Sequence, residues 1–495
     1  MKTLAELGLT AANGREVQIT GLTVDSRNVK PGNLFAALPG ATVHGGNFIA
    51  KAIELGASAV LTDAAGAKIA ADVLAALNVA TIVAQDPRQT LAQTASLWFG
   101  AHPGTVVAVT GTNGKTSVST FCRQIWEELG LFGVNLGTTG VEGAWTHPLK
   151  HTTPEPITLH RVMSEAVQHG VTHVAMEASS HGLDQRRLDG VVLAAAGFTN
   201  FTQDHLDYHE TFEAYFEAKM GLFTRVLSDD GVAVVNLDDP KGPEVAEICT
   251  ERGQEVIGVG RHPSARLRLT GQRFDATGQD LLFEWQGKAQ QVRLGLIGGF
   301  QADNVLLAAG LVIAAGAEPA DVFDTLPHLG TVHGRMELAA TRENGAAVFV
   351  DYAHTPDAVK TALTAMRPHV MGRIIAIVGA GGDRDTTKRP LMGAAAAQNA
   401  DVVIVTDDNP RSEDPAKIRA AVMAGALEAG GADHVTEVGD RAEAILRAVD
   451  MLRPGDALLV AGKGHETGQT IGDSVLPFDD VEQASMAVAV LEGKI

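Results

Sequence analysis

The feature that most constrains this chain is residues 106–117, which read Val-Val-Ala-Val-Thr-Gly-Thr-Asn-Gly-Lys-Thr-Ser. The β-branched start predicts a buried strand, and the residues after Ser117 have the pattern of a helix. The glycines between them let backbone N–H groups approach an anion at the helix N-terminus. In such a loop Lys115 would reach the outer phosphates and Thr116 would bind Mg²⁺. The stretch predicts an ATP site with a shorter glycine spacing than usual; an apolar strand with an incidental turn is the alternative.

Length and charge narrow the class of protein. The chain has 495 residues, enough for about three domains. Its formal net charge of −20 argues against a nucleic-acid partner, because attraction to a phosphate backbone needs a basic face. The cysteines, Cys122 and Cys249, have no metal-binding spacing and fit a reducing compartment. No stretch approaches the length of a membrane span. We therefore expect a cytoplasmic protein that does not insert into a membrane. A monomer is the working expectation, although these features do not reveal the oligomeric state.

Residues 1–100 mix short strands and helices and predict a small mixed α/β domain. Residues 21–27 predict a strand that leaves into a polar turn, and residues 33–38 predict a second strand. The polar side chains at 25–27 fit either an ordinary strand-end turn or the recognition of a polar ligand.

Residues 101–333 contain the phosphate loop and further candidate ligands. A buried strand ends at Glu177, and an acidic residue there commonly holds Mg²⁺ beside such a loop; a simple strand-end charge is the alternative. His205 is a second candidate metal ligand, although a single loop histidine is more often structural. Lys219 lies in a helix predicted over residues 208–223, where a solvated lysine would be the ordinary interpretation.

An antiparallel meander is predicted over residues 267–294, where apolar and polar residues alternate in several segments. The glycine-rich residues 298–304 follow and precede an Ala/Leu-rich helix. Asn304 could either cap that helix or present its amide to the edge of a base.

Beyond a glycine-rich boundary near residues 328–336, strands and helices alternate. Strands are predicted at 347–350, 374–378, 402–405 and 457–460. The alternation predicts a doubly wound, Rossmann-like domain over residues 334–495, without a G-x-G-x-x-G motif after its first strand. Function in such folds lies at the carboxyl ends of the strands, and polar clusters follow the predicted strands there. These clusters are residues 351–356, 379–385, 407–411 and 462–466.

The combined motifs resemble the Mur ligase family over essentially the whole chain. The resemblance rests on residues 110–116, 176–181, 200–205, 299–304, 334–335 and 351–354. Within that family, Gly-Asp-Arg-Asp, Asp-Asn-Pro-Arg and Gly-Lys-Gly-His-Glu resemble the members that add diaminopimelate. One departure is Gln301, where the family's adenine-binding motif commonly has Asn.

The resemblance implies an ATP-dependent amide ligase of peptidoglycan precursor synthesis, with Mg²⁺ as its metal and ATP as co-substrate. Such an enzyme adds meso-2,6-diaminopimelate to UDP-N-acetylmuramoyl-L-alanyl-D-glutamate through an acyl phosphate. It implies three α/β domains: a mixed N-terminal uridine-binding domain, a central P-loop-like ATPase domain and a C-terminal Rossmann-like domain that binds the amino acid.

The resemblance also implies roles for individual residues. ATP would be bound by Gly111, Thr112, Asn113, Gly114, Lys115, Thr116, Ser117, Asn304, Arg335 and Asp351. Mg²⁺ would be surrounded by Thr116, Glu177, His205 and Lys219, with Lys219 carbamylated; Lys115, Lys219 and His205 would be catalytic. The UDP part would contact Val24, Ser26, Ala41, Thr42 and Val43, and the muramyl dipeptide His151, Thr152, Thr153, Ser179, Gln185 and Arg187. The diamino acid would contact Arg384, Asp408, Asn409, Pro410, Arg411, Gly462 and Glu466.

Arg411 is the residue expected to select the amino acid. Diaminopimelate differs from lysine by a distal carboxylate, which a guanidinium can grip with two hydrogen bonds. Lysine as the substrate would leave Arg411 without its anionic partner. In a site that excludes water, this would cost roughly 2–5 kcal/mol of binding free energy. Glu466 is expected to bind the distal ammonium.

Other functions remain open from the sequence. Folylpolyglutamate synthase shares the phosphate loop and the three-domain plan, but its function would not require the Asp-Asn-Pro-Arg motif. A lysine-adding ligase differs only around Arg411. A nucleotide-regulated binding protein would not need Lys115, Glu177, His205 and Lys219 together, and a plain kinase would not need an amine.

Overall fold

The computed structural model of the chain describes residues 1–40, 42–202 and 208–494. A four-stranded, a ten-stranded and a six-stranded sheet follow one another along these residues. Their central strands are aliphatic and buried, as expected for parallel strands covered by helices on both faces. The predicted α/β class with three successive units is confirmed. No helix in the described part of the chain is long and apolar enough to cross a membrane.

The N-terminal unit is built on a parallel sheet. Its elements are β1 (Lys2–Thr3), β2 (Gln18–Ile19), β3 (Gly21–Thr23), β4 (Asn33–Ala36), α1 (Ile49–Glu54), β5 (Ala59–Thr62), α2 (Ala64–Ile69), α3 (Ala71–Leu77), β6 (Ala80–Val83) and α4 (Pro87–Phe99). Strands β3, β4, β5 and β6 form the sheet in that order. Leu34 and Ala36 of β4 face one core cluster and Phe35 faces another, so both sheet faces are covered.

The central unit contains the ten-stranded sheet. Its elements are β7 (Thr105–Thr110), α5 (Lys115–Glu128), β8 (Gly133–Gly137), β9 (Gly140–Gly143), α6 (Pro156–Gln168), β10 (His173–Glu177), α7 (Ser180–Asp184), β11 (Ala195–Phe198), α8 (Phe212–Gly221), β12 (Val232–Asn236), α9 (Gly242–Glu251), β13 (Glu255–Gly260), β14 (Leu267–Asp275), β15 (Gly278–Trp285), β16 (Lys288–Leu294), α10 (Phe300–Ala314) and α11 (Pro319–Thr325). The strand order is β16-β15-β14-β13-β12-β11-β7-β10-β8-β9. Strand β7 pairs in parallel with β11 and β10, so the loop after it opens where the strand order reverses.

The C-terminal unit is a doubly wound sheet. Its elements are β17 (Glu337–Thr341), β18 (Ala347–Asp351), α12 (Pro356–Met366), β19 (Ile374–Val378), α13 (Lys388–Asn399), β20 (Val402–Val405), α14 (Pro415–Ala429), β21 (His434–Glu437), α15 (Arg441–Asp450), β22 (Ala457–Ala461), β23 (Gly468–Ile471), β24 (Ser474–Pro477) and α16 (Asp480–Leu491). The order is β17-β18-β22-β19-β20-β21, with only β17 antiparallel to its neighbour. The four strands predicted from the sequence are confirmed as β18, β19, β20 and β22.

The structure settles several local alternatives. The predicted meander is confirmed as β14-β15-β16. Residues 25–27 form a turn after β3, in which Asp25 Oδ1 accepts a hydrogen bond from Arg27 N–H at 2.9 Å; this turn is compatible with the recognition of a polar ligand. The helix predicted from residue 208 begins at Phe212, where Thr211 caps it. The capping interpretation of Asn304 is wrong, because Asn304 is buried inside α10.

Candidate active site

The loop between β7 and α5 requires glycine at two positions. Gly111 has a φ of 143° and Gly114 a φ of 87°, both in a region that residues with a Cβ rarely adopt. A Cβ on Gly111 would lie 1.8 Å from Thr199 Oγ1, and one on Gly114 would lie 2.6 Å from Asn304 Oδ1. The loop is therefore held tightly between the end of β11 and helix α10. It leads into the N-terminus of α5, where backbone N–H groups suit an anion.

Two lysine side chains converge on the carbonyl of Gly111. Lys115 Nζ donates to Gly111 O at 2.9 Å and to Thr112 O at 2.8 Å. Lys219 Nζ, from α8, donates to the same Gly111 O at 2.7 Å and lies 4.4 Å from the centroid of the Tyr215 ring. Lys219 is 1% exposed, so the interpretation as a solvated lysine is wrong. The Lys115 side chain and the backbone N–H groups of a glycine loop suit phosphate groups.

Glu177 ends β10 beside the loop and is 2% exposed. Its Oε2 accepts hydrogen bonds from Thr116 Oγ1 and Thr138 Oγ1, each at 3.1 Å, and its Oε1 accepts from Thr138 N–H at 2.7 Å. Carboxylate and hydroxyl oxygens are hard ligands, so Thr116 and Glu177 fit Mg²⁺, which keeps several waters and needs few protein ligands. His205 lies outside the described residues. Within those residues, no group of three or more His, Cys, Asp or Glu side chains could hold a metal ion.

A wall rich in hydroxyl groups adjoins Glu177. Thr153 Oγ1 donates to Glu177 O at 2.8 Å and accepts from Ser179 Oγ at 3.1 Å. Ser179 also caps α7. Arg187 Nη2 donates to Gln185 Oε1 at 2.8 Å, and burial lowers the pKa of Arg187. Hydroxyl groups and a half-buried guanidinium suit a ligand that carries carboxylates and amides.

Arg335 and Asp351 reach this site from the C-terminal unit. Arg335 Nη2 donates to Thr116 Oγ1 at 3.4 Å, and its guanidinium lies 4.6 Å from the centroid of the Tyr352 ring. Asp351 ends β18, and its Oδ2 accepts from Met336 N–H at 2.7 Å. Burial raises the pKa of Asp351, and the Arg335 cation opposes that rise. The C-terminal sheet thus contributes directly to the surroundings of the phosphate loop.

One cavity of about 800 Å³ joins these groups. Of the expected ATP and metal residues, its lining contains Thr112, Asn113, Gly114, Lys115, Thr116, Ser117, Glu177, Lys219, Asn304, Arg335 and Asp351. Of the expected muramyl-dipeptide residues, it contains His151, Thr152, Thr153, Ser179 and Arg187. A phosphate loop and a polar wall therefore share one space, which phosphoryl transfer between two bound substrates requires.

A second group of polar side chains meets after β20 and β22. Asn409 Nδ2 donates to Glu466 Oε2 at 2.8 Å. Lys463 is completely buried, and its Nζ donates to Asn409 Oδ1 at 3.2 Å and to Glu466 Oε2 at 3.1 Å. Arg411 Nη1 donates to Gly382 O at 2.7 Å. A carboxylate, an amide and a guanidinium lie together here, a set that suits a ligand with both charges.

Family models match the chain in succession along its length. The Mur ligase family catalytic domain matches residues 18–98, the Mur ligase middle domain 109–312, and the Mur ligase glutamate ligase domain 334–464. The chain belongs to the Mur ligase family. The resemblance inferred from the motifs is confirmed.

Individual relatives of this Mur ligase cover almost its whole length. A protein of Bradyrhizobium diazoefficiens named UDP-N-acetylmuramoyl-L-alanyl-D-glutamate–2,6-diaminopimelate ligase is 48% identical over 479 residues, 96% of this chain and 95% of the relative. A solved structure with the same enzyme name is 32% identical, with a TM-score of 0.69, and covers 96% of this chain and 95% of its own. A MurF ligase from Thermotoga maritima in complex with ADP is 17% identical, with a TM-score of 0.60 and coverage of 96% and 98%; it supports the fold alone.

Some expected site residues of this Mur ligase lie away from the cavity. Of the expected UDP residues, Val24, Thr42 and Val43 are exposed, Ser26 is half-buried, and Ala41 lies outside the described residues. None of these described residues lines the cavity. The expected amino-acid residues Asp408, Asn409, Pro410, Arg411, Gly462 and Glu466 lie at the carboxyl edge of the C-terminal sheet, and Arg384 is exposed nearby. They do not line the cavity either.

Three residues of the site were missed by sequence reasoning. Thr138 orients Glu177, Tyr352 lies under the Arg335 guanidinium, and Lys463 holds Glu466. Tyr352 directly follows Asp351, and Lys463 lies between Gly462 and Glu466. Both are adjacent in the sequence to expected site residues, and this adjacency could have identified them. Thr138 follows β8, a glycine-containing strand that no apolar run marks clearly.

Proposed function

We propose that this Mur ligase joins meso-2,6-diaminopimelate to UDP-N-acetylmuramoyl-L-alanyl-D-glutamate, with ATP as co-substrate, in peptidoglycan precursor synthesis. The observation that carries the proposal is the shared cavity, in which Lys115 and Glu177 lie beside Thr153 and Ser179. The relative named for this reaction, at 48% identity, supports the same substrates.

The first step activates a carboxylate that would otherwise resist an amine. A carboxylate oxygen of the D-glutamate attacks the γ-phosphorus of ATP, and the bond between that phosphorus and the β–γ bridging oxygen breaks. ADP leaves and an acyl phosphate forms. Lys115 and the backbone N–H groups of the loop offset negative charge while the phosphoryl group passes between two anions.

The second step forms the amide. The diaminopimelate amine, as its free base, attacks the acyl carbon and gives a tetrahedral intermediate. The bond from carbon to the phosphate oxygen breaks, phosphate leaves, and the nitrogen passes its proton to phosphate or water. Phosphate is a far better leaving group than oxide, so no side-chain nucleophile is required.

Mg²⁺ belongs to this proposal, held by Thr116 and Glu177 together with His205 and Lys219. When bound, the ion supplies positive charge beside the phosphate oxygens. We place a carbamate on Lys219: its neutral amine adds to the carbon of CO₂ and loses a proton. The burial of Lys219 at Gly111 supports this assignment, because an ammonium is costly away from water and carbamate oxygens suit Mg²⁺.

The remaining assignments extend the proposal to the other two units. The N-terminal unit, residues 1–100, binds the UDP part through Val24, Ser26 and the loop 41–43. The central unit, residues 101–333, binds ATP, with Asn304 on the adenine, and the muramyl dipeptide. The C-terminal unit, residues 334–495, binds the diamino acid. The residues expected to bind the diamino acid do not line the cavity, so movement of their loops towards the acyl phosphate is part of the proposed reaction. We place the enzyme in the cytoplasm as a monomer.

An ADP-release assay with UDP-N-acetylmuramoyl-L-alanyl-D-glutamate tests the function. Diaminopimelate should support turnover, and lysine should support far less. Arg411→Ala should lower kcat/KM for diaminopimelate about tenfold or more and reduce the preference over lysine, because the distal carboxylate loses its guanidinium. Multiple-turnover release of ADP without an amino acid, or a wild-type preference for lysine, would overturn the proposal. A mutant that keeps the preference would remove only the role of Arg411.

A further inference from the structure

The β23–β24 hairpin has no role in the reaction as described so far. It spans residues 468–477, just beyond residue 464, where the match to the glutamate ligase domain ends. It forms a two-stranded sheet of its own, and its apolar residues Ile471, Val475 and Leu476 are 45%, 68% and 50% exposed. Core packing by these side chains therefore does not explain why the hairpin lies where it does.

The hairpin bonds the loop that carries Arg411. Gln469 Nε2 donates to Asp408 O at 2.7 Å. Arg411 N–H donates to Thr470 O at 3.0 Å, and Gly472 N–H donates to Arg411 O at 2.7 Å. Both backbone polar groups of Arg411 are thus engaged by strand β23 and the turn after it.

This engagement holds Arg411 in an unfavourable conformation. Its φ is 51°, in the left-handed region that is disfavoured for residues with a Cβ. The backbone conformation sets the direction in which the side chain leaves the chain. Without the hydrogen bonds to Thr470 of β23 and from Gly472 of the turn, we expect Arg411 to relax to negative φ and its guanidinium to move from its place at Gly382 O.

The same hairpin fixes the amide orientation of Asn409. Its Oδ1 accepts from Thr470 N–H at 2.9 Å and from Lys463 Nζ at 3.2 Å. Because both of these neighbours are donors, the oxygen must face them and the Nδ2 must face Glu466 Oε2, 2.8 Å away. The hairpin therefore also acts on the carboxylate assigned to the distal ammonium.

We infer that the β23–β24 hairpin is the specificity element of the amino-acid site, positioning Arg411 and Asn409 for the distal carboxylate and ammonium of the diamino acid. The inference rests on the proposed function. The hairpin residues act through their neighbours and are positioning residues. Because they do not touch the phosphate loop, their loss affects the diamino acid and leaves ATP binding unchanged.

A deletion tests the whole hairpin. Phe478 N–H donates to Thr467 O at 3.1 Å, so the two ends already lie together and residues 468–477 can be replaced by two glycines. The KM for diaminopimelate should rise about tenfold or more, as expected when a left-handed residue is released. The ratio of kcat/KM for diaminopimelate to that for lysine should fall, while the KM for ATP stays within about twofold of wild type.

A point variant with a matched control separates positioning from folding. Gln469→Leu removes one donor to the loop and should raise the KM for diaminopimelate about threefold. Val475→Thr changes an exposed residue on the outer strand, keeps the β-branched shape, and should leave all constants at wild-type values. Gln469→Glu, which also lacks the amide donor, should behave like Gln469→Leu, whereas Gln469→Asn should recover part of the loss.

The outcomes distinguish this inference from the proposed function. If wild type does not prefer diaminopimelate over lysine, the proposed function fails. A second outcome is that wild type shows the preference while the deletion and Gln469→Leu keep the wild-type KM for diaminopimelate and the wild-type ratio of kcat/KM values for the two amino acids. In that case the hairpin is not a specificity element. If the deletion does not fold, as judged by thermal unfolding and ATP binding, Gln469→Leu is compared with Val475→Thr. A KM for diaminopimelate that is equal in these two variants would then overturn the inference.

Discussion

At the scale of single residues, the phosphate loop is constrained by backbone conformation and by space together. Gly111 and Gly114 both have positive φ, and a Cβ on either would collide with a side chain of a neighbouring element. Some other glycines meet only the conformational constraint. Gly130, for example, has a φ of 75° at the end of α5 but nothing within 4 Å of a Cβ.

Gly114→Ala should therefore be more harmful than Gly130→Ala. Both substitutions incur the left-handed cost of about 1–2 kcal/mol, but only the first also displaces Asn304 Oδ1, 2.6 Å from the new Cβ. We expect the KM for ATP to rise about tenfold or more in Gly114→Ala and to stay at the wild-type value in Gly130→Ala. Steady-state kinetics with varied ATP measure this, and equal KM values in the two variants would contradict the steric argument.

Lys219 allows a second test at this scale. Lys219→Ala should lower kcat about 10–100-fold or more, because the metal shell loses the group proposed to become a carbamate. Short-chain carboxylic acids should restore part of the activity of Lys219→Ala but not of Lys219→Arg, whose side chain fills the space. In ¹³C NMR with labelled bicarbonate, wild type should show a carbamate carbon that is absent from Lys219→Ala. Full activity of Lys219→Ala would remove this residue from the mechanism.

At the scale of elements, a buried ion pair ties two helices to the strand ends that carry the amino-acid loops. Arg441 begins α15 and Asp480 begins α16, and both side chains are completely buried. Arg441 Nε and Nη2 donate to the two oxygens of Asp480 at 2.7 and 2.6 Å. The same guanidinium donates to Ala461 O at 3.0 Å and to Asp407 O at 3.3 Å. The helix packing and the loops after β20 and β22 are therefore coupled.

Asp480→Ala should destabilise the protein by about 3–5 kcal/mol, because it leaves the Arg441 cation buried without its partner. Glu482→Ala is the matched control, since it removes an exposed acidic residue from the same helix turn and should change stability by less than about 0.5 kcal/mol. The double variant Arg441→Met with Asp480→Leu should recover much of the loss. Denaturant titration measures all three, and an Asp480→Ala protein as stable as the control would contradict the argument.

At the scale of the whole molecule, the N-terminal and central units meet between α4 and α6. His102 follows α4, and its Nε2 lies 3.0 Å from Nδ1 of His160 on α6. Burial and the neighbouring His102 lower the pKa of His160 from 6.5 to about 3. The Nε2 of His160 has no hydrogen-bond partner among the described residues. Protonation of this imidazole would therefore place an unbalanced charge at the junction.

The junction should weaken in mild acid. The folded-state pKa of His160 is below the unfolded value, so unfolding takes up a proton and stability is lost as pH falls below 6.5. When the pH falls from about 6.5 to 5, the free energy of unfolding should decrease by about 2 kcal/mol. His160→Gln should show a shallower pH dependence in denaturant titrations, even if it is less stable at neutral pH. His434→Gln changes an exposed histidine in the C-terminal unit and should keep the wild-type dependence of the free energy of unfolding on pH. The same pH dependence in wild type, His160→Gln and His434→Gln would contradict the prediction.

Residue patterns alone predict the elements whose side chains carry a strong local signal. The apolar runs of β7, β19, β20 and β22 are buried throughout, and that of β18 is buried at residues 348–350, so their pattern alone predicted them. The edge strand β21 and the hairpin β23–β24 were missed because they are mostly exposed and have no apolar run. The glycine loop was predictable since its spacing reflects a local backbone requirement.

Which distant residues act together depends on how the elements pack in three dimensions. Lys219 and Gly111 are 108 positions apart in the sequence, and their hydrogen bond depends on how α8 packs against the loop. The contact of Arg335 with Thr116 likewise requires the C-terminal sheet to reach the central one. Such contacts depend on packing between elements, which residue patterns along one element do not encode. The sequence thus specified the phosphate loop and the family, while folding supplied the buried lysine, the shared cavity and the hairpin that holds Arg411.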